Sequence, residues 1–134
     1  MSEVAMNEIT QHEQISVSVE PNYLDDESAP DENRFVFSYT VTITNEGEAP
    51  AQLLSRHWII TNGDTMDTQE VKGQGVIGQQ PKIEPGESYT YTSGTVMEAP
   101  VGTMHGSYHM VSTDGTQFDV AIEPFMLAAP GNLH

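Results

Sequence analysis

The chain contains no cysteine. Disulfide frameworks, thiol nucleophiles and thiolate metal sites are therefore excluded. Basic residues are almost as scarce. Arg34, Arg56, Lys72 and Lys82 stand against 20 acidic residues, for a formal charge of -16. A nucleic-acid surface needs several cationic contacts to phosphate. So few cations, set in so negative a field, make no nucleic acid an expected partner. Such a charge suits a solvated surface, attraction for divalent cations, or a basic protein partner. Long apolar runs are also missing. The longest is Pro-Phe-Met-Leu-Ala-Ala-Pro, ending at Pro130, far short of the ~20 residues of a membrane span. The opening Met-Ser-Glu-Val-Ala-Met-Asn-Glu has neither the basic start nor the apolar run of a secretory signal. The expectation is a cytoplasmic protein without membrane insertion.

No stretch shows a convincing helical period. What is present instead is alternation. From Arg34 to Asn45, residues Phe35, Phe37, Tyr39, Val41 and Ile43 fall on one face. Ser38, Thr40, Thr42 and Thr44 fall on the other, the pattern of a strand with one dry and one wet face. Ala51 to Thr61 reads as a second strand. Leu54, Arg56, Trp58 and Ile60 are expected to share one face, and Leu53, Ser55, His57 and Ile59 the other. Asn62-Gly63 is a hairpin signal, predicting a returning strand from about Met66 to Val71. Further strands are expected at Ile15 to Val19 (ended by Pro21), around Tyr89 and Tyr91, at Met104 to Val111, and around Phe118, Val120 and Ile122. Short strands at intervals of roughly 10–15 residues, separated by turn residues, predict an all-β, antiparallel sandwich of about seven to eight strands. One domain spans 1–134, with an ordered core of about 15–127 and loose ends. Trp58 and Tyr39 are expected in the core, and the acidic stretch Asp25 to Glu32 reads as a loop.

The motif that invites a functional reading is Gly73-x-Gly75-x-x-Gly78. A dinucleotide fingerprint needs a helix after its glycines. Pro81 follows Gly78 by three residues, so tight binding of NAD or ATP is not expected, and no cofactor is assigned. A bulged or sharply bending segment explains the glycines structurally. An anion nest and a protein-contact loop are the functional alternatives. Gly73, Gly75, Val76, Ile77 and Gly78 are the candidate partner- or anion-contact residues. Val76 and Ile77 are adjacent and apolar; if one is buried, the other is left exposed to a partner.

Other constellations are weaker. His105 and His109, four apart on a strand, sit roughly 13 Å apart, too far for one metal. His57 could approach either of them from a neighbouring strand. The carboxylates of Asp25, Asp26, Glu27, Asp31 and Glu32 are hard oxygen ligands without an EF-hand spacing, so no metal site is assigned. Ser55 with His57 and Ser107 with His109 lack a nucleophile elbow. The chain is not expected to be an enzyme.

Several segments carry a resemblance. They are Leu-Leu-Ser-Arg-His-Trp-Ile-Ile-Thr-Asn-Gly, Val-x-Gly-x-Gly-Val-Ile-Gly-Gln-Gln-Pro, Pro-Gly-Glu-Ser-Tyr-x-Tyr-Thr-Ser-Gly and Gly-x-Met-x-Gly-Ser-Tyr-x-Met-Val. With the closing Ile-Glu-Pro-Phe-Met-Leu, the chain from about Ile15 to Leu127 resembles the ApaG family of small bacterial proteins. The resemblance implies a fibronectin type III-like or immunoglobulin-like sandwich. It implies an association with cobalt and magnesium resistance or efflux in enteric bacteria, as an accessory protein. Related domains occur in some eukaryotic F-box proteins and in a polymerase-interacting protein, where protein contact is the expected role. The family offers no catalytic residue to transfer; its glycine pattern transfers onto Gly73, Gly75 and Gly78. Two readings follow. One is a non-catalytic module that binds an unknown protein partner. The other is direct but weak binding of Mg²⁺, Co²⁺ or a small anion. A homo-oligomer is open under both.

Overall fold

The computed structural model describes residues 14–131. Eight strands run in chain order: β1 (Ile15–Tyr23), β2 (Phe35–Asn45), β3 (Ala51–Asn62), β4 (Thr68–Gln74), β5 (Lys82–Ile83), β6 (Ser88–Met97), β7 (Val101–Ser112) and β8 (Gln117–Ala128). All pairings are antiparallel. One sheet has the order β1-β2-β6. The other has the order β4-β3-β7-β8, with β5 against the start of β3. The two sheets form the predicted β-sandwich. Among the described residues no helix is long and apolar enough to cross a membrane.

The alternation holds along most of β2. Phe35, Phe37, Tyr39, Val41 and Ile43 are buried, while the opposite face, after a buried Val36, carries hydroxyls from Ser38 to Thr44. There Thr40 bonds Thr92 at 2.9 Å, Thr42 bonds Thr90 at 3.2 Å, and Thr44 bonds Ser88 at 2.7 Å, a polar ladder joining β2 to β6. Trp58 is 2% exposed and packs edge-on against Tyr39 at 5.3 Å and Phe125 at 5.9 Å. Such aromatic pairs add to the burial energy of the rings themselves.

The strand β3 departs from the regular alternation. Leu53 pairs with Met110 but Ser55 pairs with His109, so Leu54 is an extra residue in a β-bulge. The bulge reverses the facing of everything before it. Leu53 and Trp58 are therefore both core residues, although strict alternation would put them on opposite faces. A second irregularity lies between Met104 and Gly106, opposite Glu123 and Pro124 on β8. It gives the proline a place outside the regular ladder of an edge strand. Pro21 is likewise on an edge strand, and β1 continues through it to Tyr23.

Other boundaries shift. The hairpin after Asn62 exists, but its return strand is Thr68–Gln74 rather than Met66 to Val71. The acidic segment is not an irregular loop: Asp25–Glu27 and Pro30–Glu32 each form one 3₁₀ turn. The expected loose ends fall largely on 1–13 and 132–134, outside the described residues. Ala128 and Ala129, however, are held. Ala128 closes β8, and Ala129 is buried and donates its N–H to Pro100 at 2.8 Å.

Candidate functional site: the glycine loop and the cleft beside it

The three glycines do different jobs. Gly73 lies within β4, facing Arg56 of β3. A Cβ there would come within 2.8–2.9 Å of the guanidinium of Arg56. Arg56 follows the bulge and turns toward the inner face, where its cross-strand partner is Tyr108. Its Nη1 donates to the carbonyls of Gln74 at 3.1 Å and Gly75 at 2.8 Å. Among the described residues no carboxylate lies within 4.0 Å of Arg56. In a chain of charge -16, this half-buried cation has no counterion among the described residues.

Gly75 has φ +63, and a Cβ there would lie 2.2 Å from the carbonyl oxygen of Gln79. Only glycine fits both the dihedral and the close approach. The N–H of Gly75 donates to the carbonyl of Leu54 at 2.8 Å, and Gln80 Nε2 donates to the same carbonyl at 2.9 Å. The bulge residue is thus the anchor for the loop.

Val76 and Gln79 exchange both backbone hydrogen bonds at 2.8 Å. The two residues between them have positive φ, +43 at Ile77 and +78 at Gly78. This is a two-residue type I′ turn, whose first central position favours Asn, Asp or Gly. Isoleucine there is strained, because a β-branched side chain at positive φ is an outlier. Val76 is 1% exposed and Ile77 56%. The opposed burial of the two apolar residues follows from the turn, not from strand alternation.

Beside this turn lies a cleft of about 280 Å³, bounded by Arg56, Trp58, Ile77, Gly78, Tyr91 and Ser93. It continues between β4 and β6 as a space of about 320 Å³ lined by Ile60, Val71, Ser93 and Val96 among others. At the far end a wider depression of about 520 Å³ includes Asp67, Gln69, Val96 and Glu98. The whole groove follows the side on which the two sheets remain apart. The opposite side is closed by packing of β1 against β8.

Behind the groove, the hydroxyls of Tyr91 and Tyr108 share a short hydrogen bond between the sheets. Burial pushes the Tyr91 phenol up to about 12, partly offset by its bond to Tyr108. Burial also pushes Tyr108 up, reinforced by the charge that Tyr91 would carry and by their shared bond.

His57, His105 and His109 lie on the outer face of the second sheet. His57 Nε2 is 3.1 Å from Glu70. His109 Nδ1 is 2.7 Å from Asp119, and its Nε2 is 2.7 Å from Gln117. These bonds to Asp119 and Gln117 raise the His109 pKa. Ser55 is the cross-strand neighbour of His109, and Ser107 that of His57, but no hydrogen bond joins either serine to its imidazole. His105 pairs with Ile59 instead. Among the described residues no three His, Asp or Glu side chains gather as a metal site. The carboxylates of the two 3₁₀ turns are spread over an exposed surface.

Sequence reading missed Arg56 and Tyr91 as neighbours of the glycine loop. Arg56 was grouped with Trp58 by alternation, and that was the only available signal.

Fold and loop together define a small antiparallel β-sandwich, closed along one side and open along the other, with a strained turn at one end of the opening. Residues 25–112 match the ApaG domain family, and the chain belongs to that family. It is similar to Protein ApaG of Pseudomonas aeruginosa, with 62% identity over 125 residues, covering 93% of this chain and 98% of that protein. It is 58% identical over 120 residues to Protein ApaG of Pseudomonas syringae pv. tomato, covering 90% and 94%. The crystal structure of the putative ApaA protein from Bordetella pertussis is similar in fold, with a TM-score of 0.85 and 51% identity, covering 88% of this chain and 95% of that one.

Proposed function

We propose that the chain is a non-catalytic protein-interaction module that docks a partner through the glycine turn and the cleft beside it. The observation that carries this reading is Ile77. A β-branched residue is held at φ +43 at the tip of a turn, 56% exposed, where the turn itself would favour Asn. Strain of this kind costs on the order of 1–3 kcal/mol, and among the described residues the Ile77 side chain is left 56% exposed rather than packed in the core. A partner that covers Ile77 gives it a use. We read the sandwich as fibronectin type III-like, the protein as cytoplasmic, and its link to cobalt and magnesium resistance as that of an accessory factor. Direct cation or anion binding is the weaker reading: among the described residues no three His, Asp or Glu side chains gather to hold a cation, and the Nη1 of Arg56 beside the loop is already bonded to the carbonyls of Gln74 and Gly75.

The test is capture of cellular partners by the native protein and by Ile77→Asp. The substitution is at an exposed turn and leaves the core untouched. Retained urea stability with lost capture supports docking at the turn. Retained stability with unchanged capture removes Ile77 from the interface.

A further inference from the structure

Among the described residues the sandwich has five edge strands, and four of them carry features that discourage pairing with another chain. The β1 strand has Glu20 and Pro21, β4 has Glu70 and Lys72, β5 is only the two residues Lys82–Ile83, and β8 has Asp119, Glu123, Pro124 and a bulge. The fifth, β6, reads Ser-Tyr-Thr-Tyr-Thr-Ser-Gly-Thr-Val-Met. It has no charge and no proline. Its register against β2 runs without interruption from Phe35–Met97 to Thr44–Ser88. Among the described residues nothing pairs with its other edge. That open edge is one wall of the groove.

The groove also has a polarity. Arg56, with no carboxylate partner among the described residues, stands at the end near the glycine turn, while Asp67 and Glu98 line the other end. Tyr91 and Val96 mark the two ends along β6. They are five residues apart, about 17 Å of extended strand. The exposed side chains of Ile77 and Val96, 56% and 51% accessible, border the groove at those ends.

We propose that β6 receives an extended peptide segment of a partner protein by strand addition, with a carboxylate of the segment on Arg56 and a basic residue toward Asp67 and Glu98. Strand addition draws affinity from main-chain hydrogen bonds to an unpaired edge and specificity from alternate side chains. Both elements are present here, the edge in β6 and the side-chain selectivity in the charges of the groove. A second copy of this chain on the same edge is disfavoured by the charge of -16 on each molecule. The proposal rests on the interaction-module reading and specifies what occupies the groove.

The experiment selects from a library of random-sequence peptides displayed on phage, using the intact chain as bait. The recovered peptide is then titrated into the isotopically labelled protein by NMR. The expected peptides pair an acidic residue with a Lys or Arg a few positions away. Amide shifts should follow Tyr91 to Met97, with the Arg56 side chain moving too. Backbone N-methylation at alternate positions should abolish binding, and Arg56→Gln should weaken it about tenfold or more, as expected for loss of a charge-assisted bond. The N-methylated peptide needs no variant protein, so the test survives if Arg56→Gln folds poorly. Shifts confined to Gly75 to Gly78 would overturn strand addition while leaving the module reading in place. Failure to enrich any peptide over a bait-free surface would also overturn it, and the Ile77→Asp capture then judges the module reading separately. Sedimentation as a dimer with protected β6 amides would replace the peptide with a second copy.

Discussion

The guanidinium of Arg56 occupies the space where a side chain on Gly73 would begin, with three of its atoms within 2.9 Å of that point. The first glycine and the groove's cation are therefore one feature. The missing Cβ lets the arginine reach the carbonyls of Gln74 and Gly75. An added methyl meets the far end of a flexible side chain, not backbone, so Gly73→Ala is expected to fold. It should displace Arg56 and release those two bonds. Proton NMR of the Arg56 guanidinium checks this: the variant should show faster exchange with water than the parent.

Replacing Ile77 by Asn should stabilise the isolated protein by about 1 kcal/mol, because Asn adopts positive φ at lower cost and suits a type I′ turn. Urea unfolding measures this. A gain in midpoint indicates that Ile77 is kept at the expense of stability. A loss would mean that the isoleucine supports the fold.

Trp58→Ala should cost about 3–5 kcal/mol, the range for truncating a buried aromatic. The ring touches Tyr39, Tyr108 and Phe125 and joins the two sheets. An unchanged urea midpoint would contradict its place in the core.

Tyr91 and Tyr108 predict an alkaline limit to stability. Both phenols have folded pKa values above the ordinary 10, with Tyr91 at about 12. Folding holds them neutral, so their contribution is complete below pH 10 and declines as pH rises from 10 toward 12. Absorbance at the tyrosinate band should show Tyr91 and Tyr108 ionising only as the fold opens. Phe substitution at both positions should flatten the pH dependence above 10.

Much of this architecture was legible in the sequence. Phe35 to Ile43 announces a half-buried strand, and Asn62-Gly63 announces a hairpin, because both signals are local. What stayed hidden depends on contacts between distant segments. No period-2 pattern reveals that Leu54 is an extra residue, yet that residue puts Leu53 in the core and anchors Gly75. Lys82–Ile83 is too short to show alternation. The turn at Ile77 was obscured because its first residue is one that turn chemistry disfavours. The facing of Arg56, Tyr91 and Tyr108 is set by the stacking of the two sheets, which a single strand does not encode.

The central claim is that a partner covers the glycine turn. The most direct measurement places a photo-crosslinking amino acid at position 77 in living cells, and in a separate strain at the exposed Thr113, in the turn between β7 and β8. Crosslinked partner from position 77, with little from position 113, is the result expected. Equal yields from positions 77 and 113, or none from position 77, would contradict it.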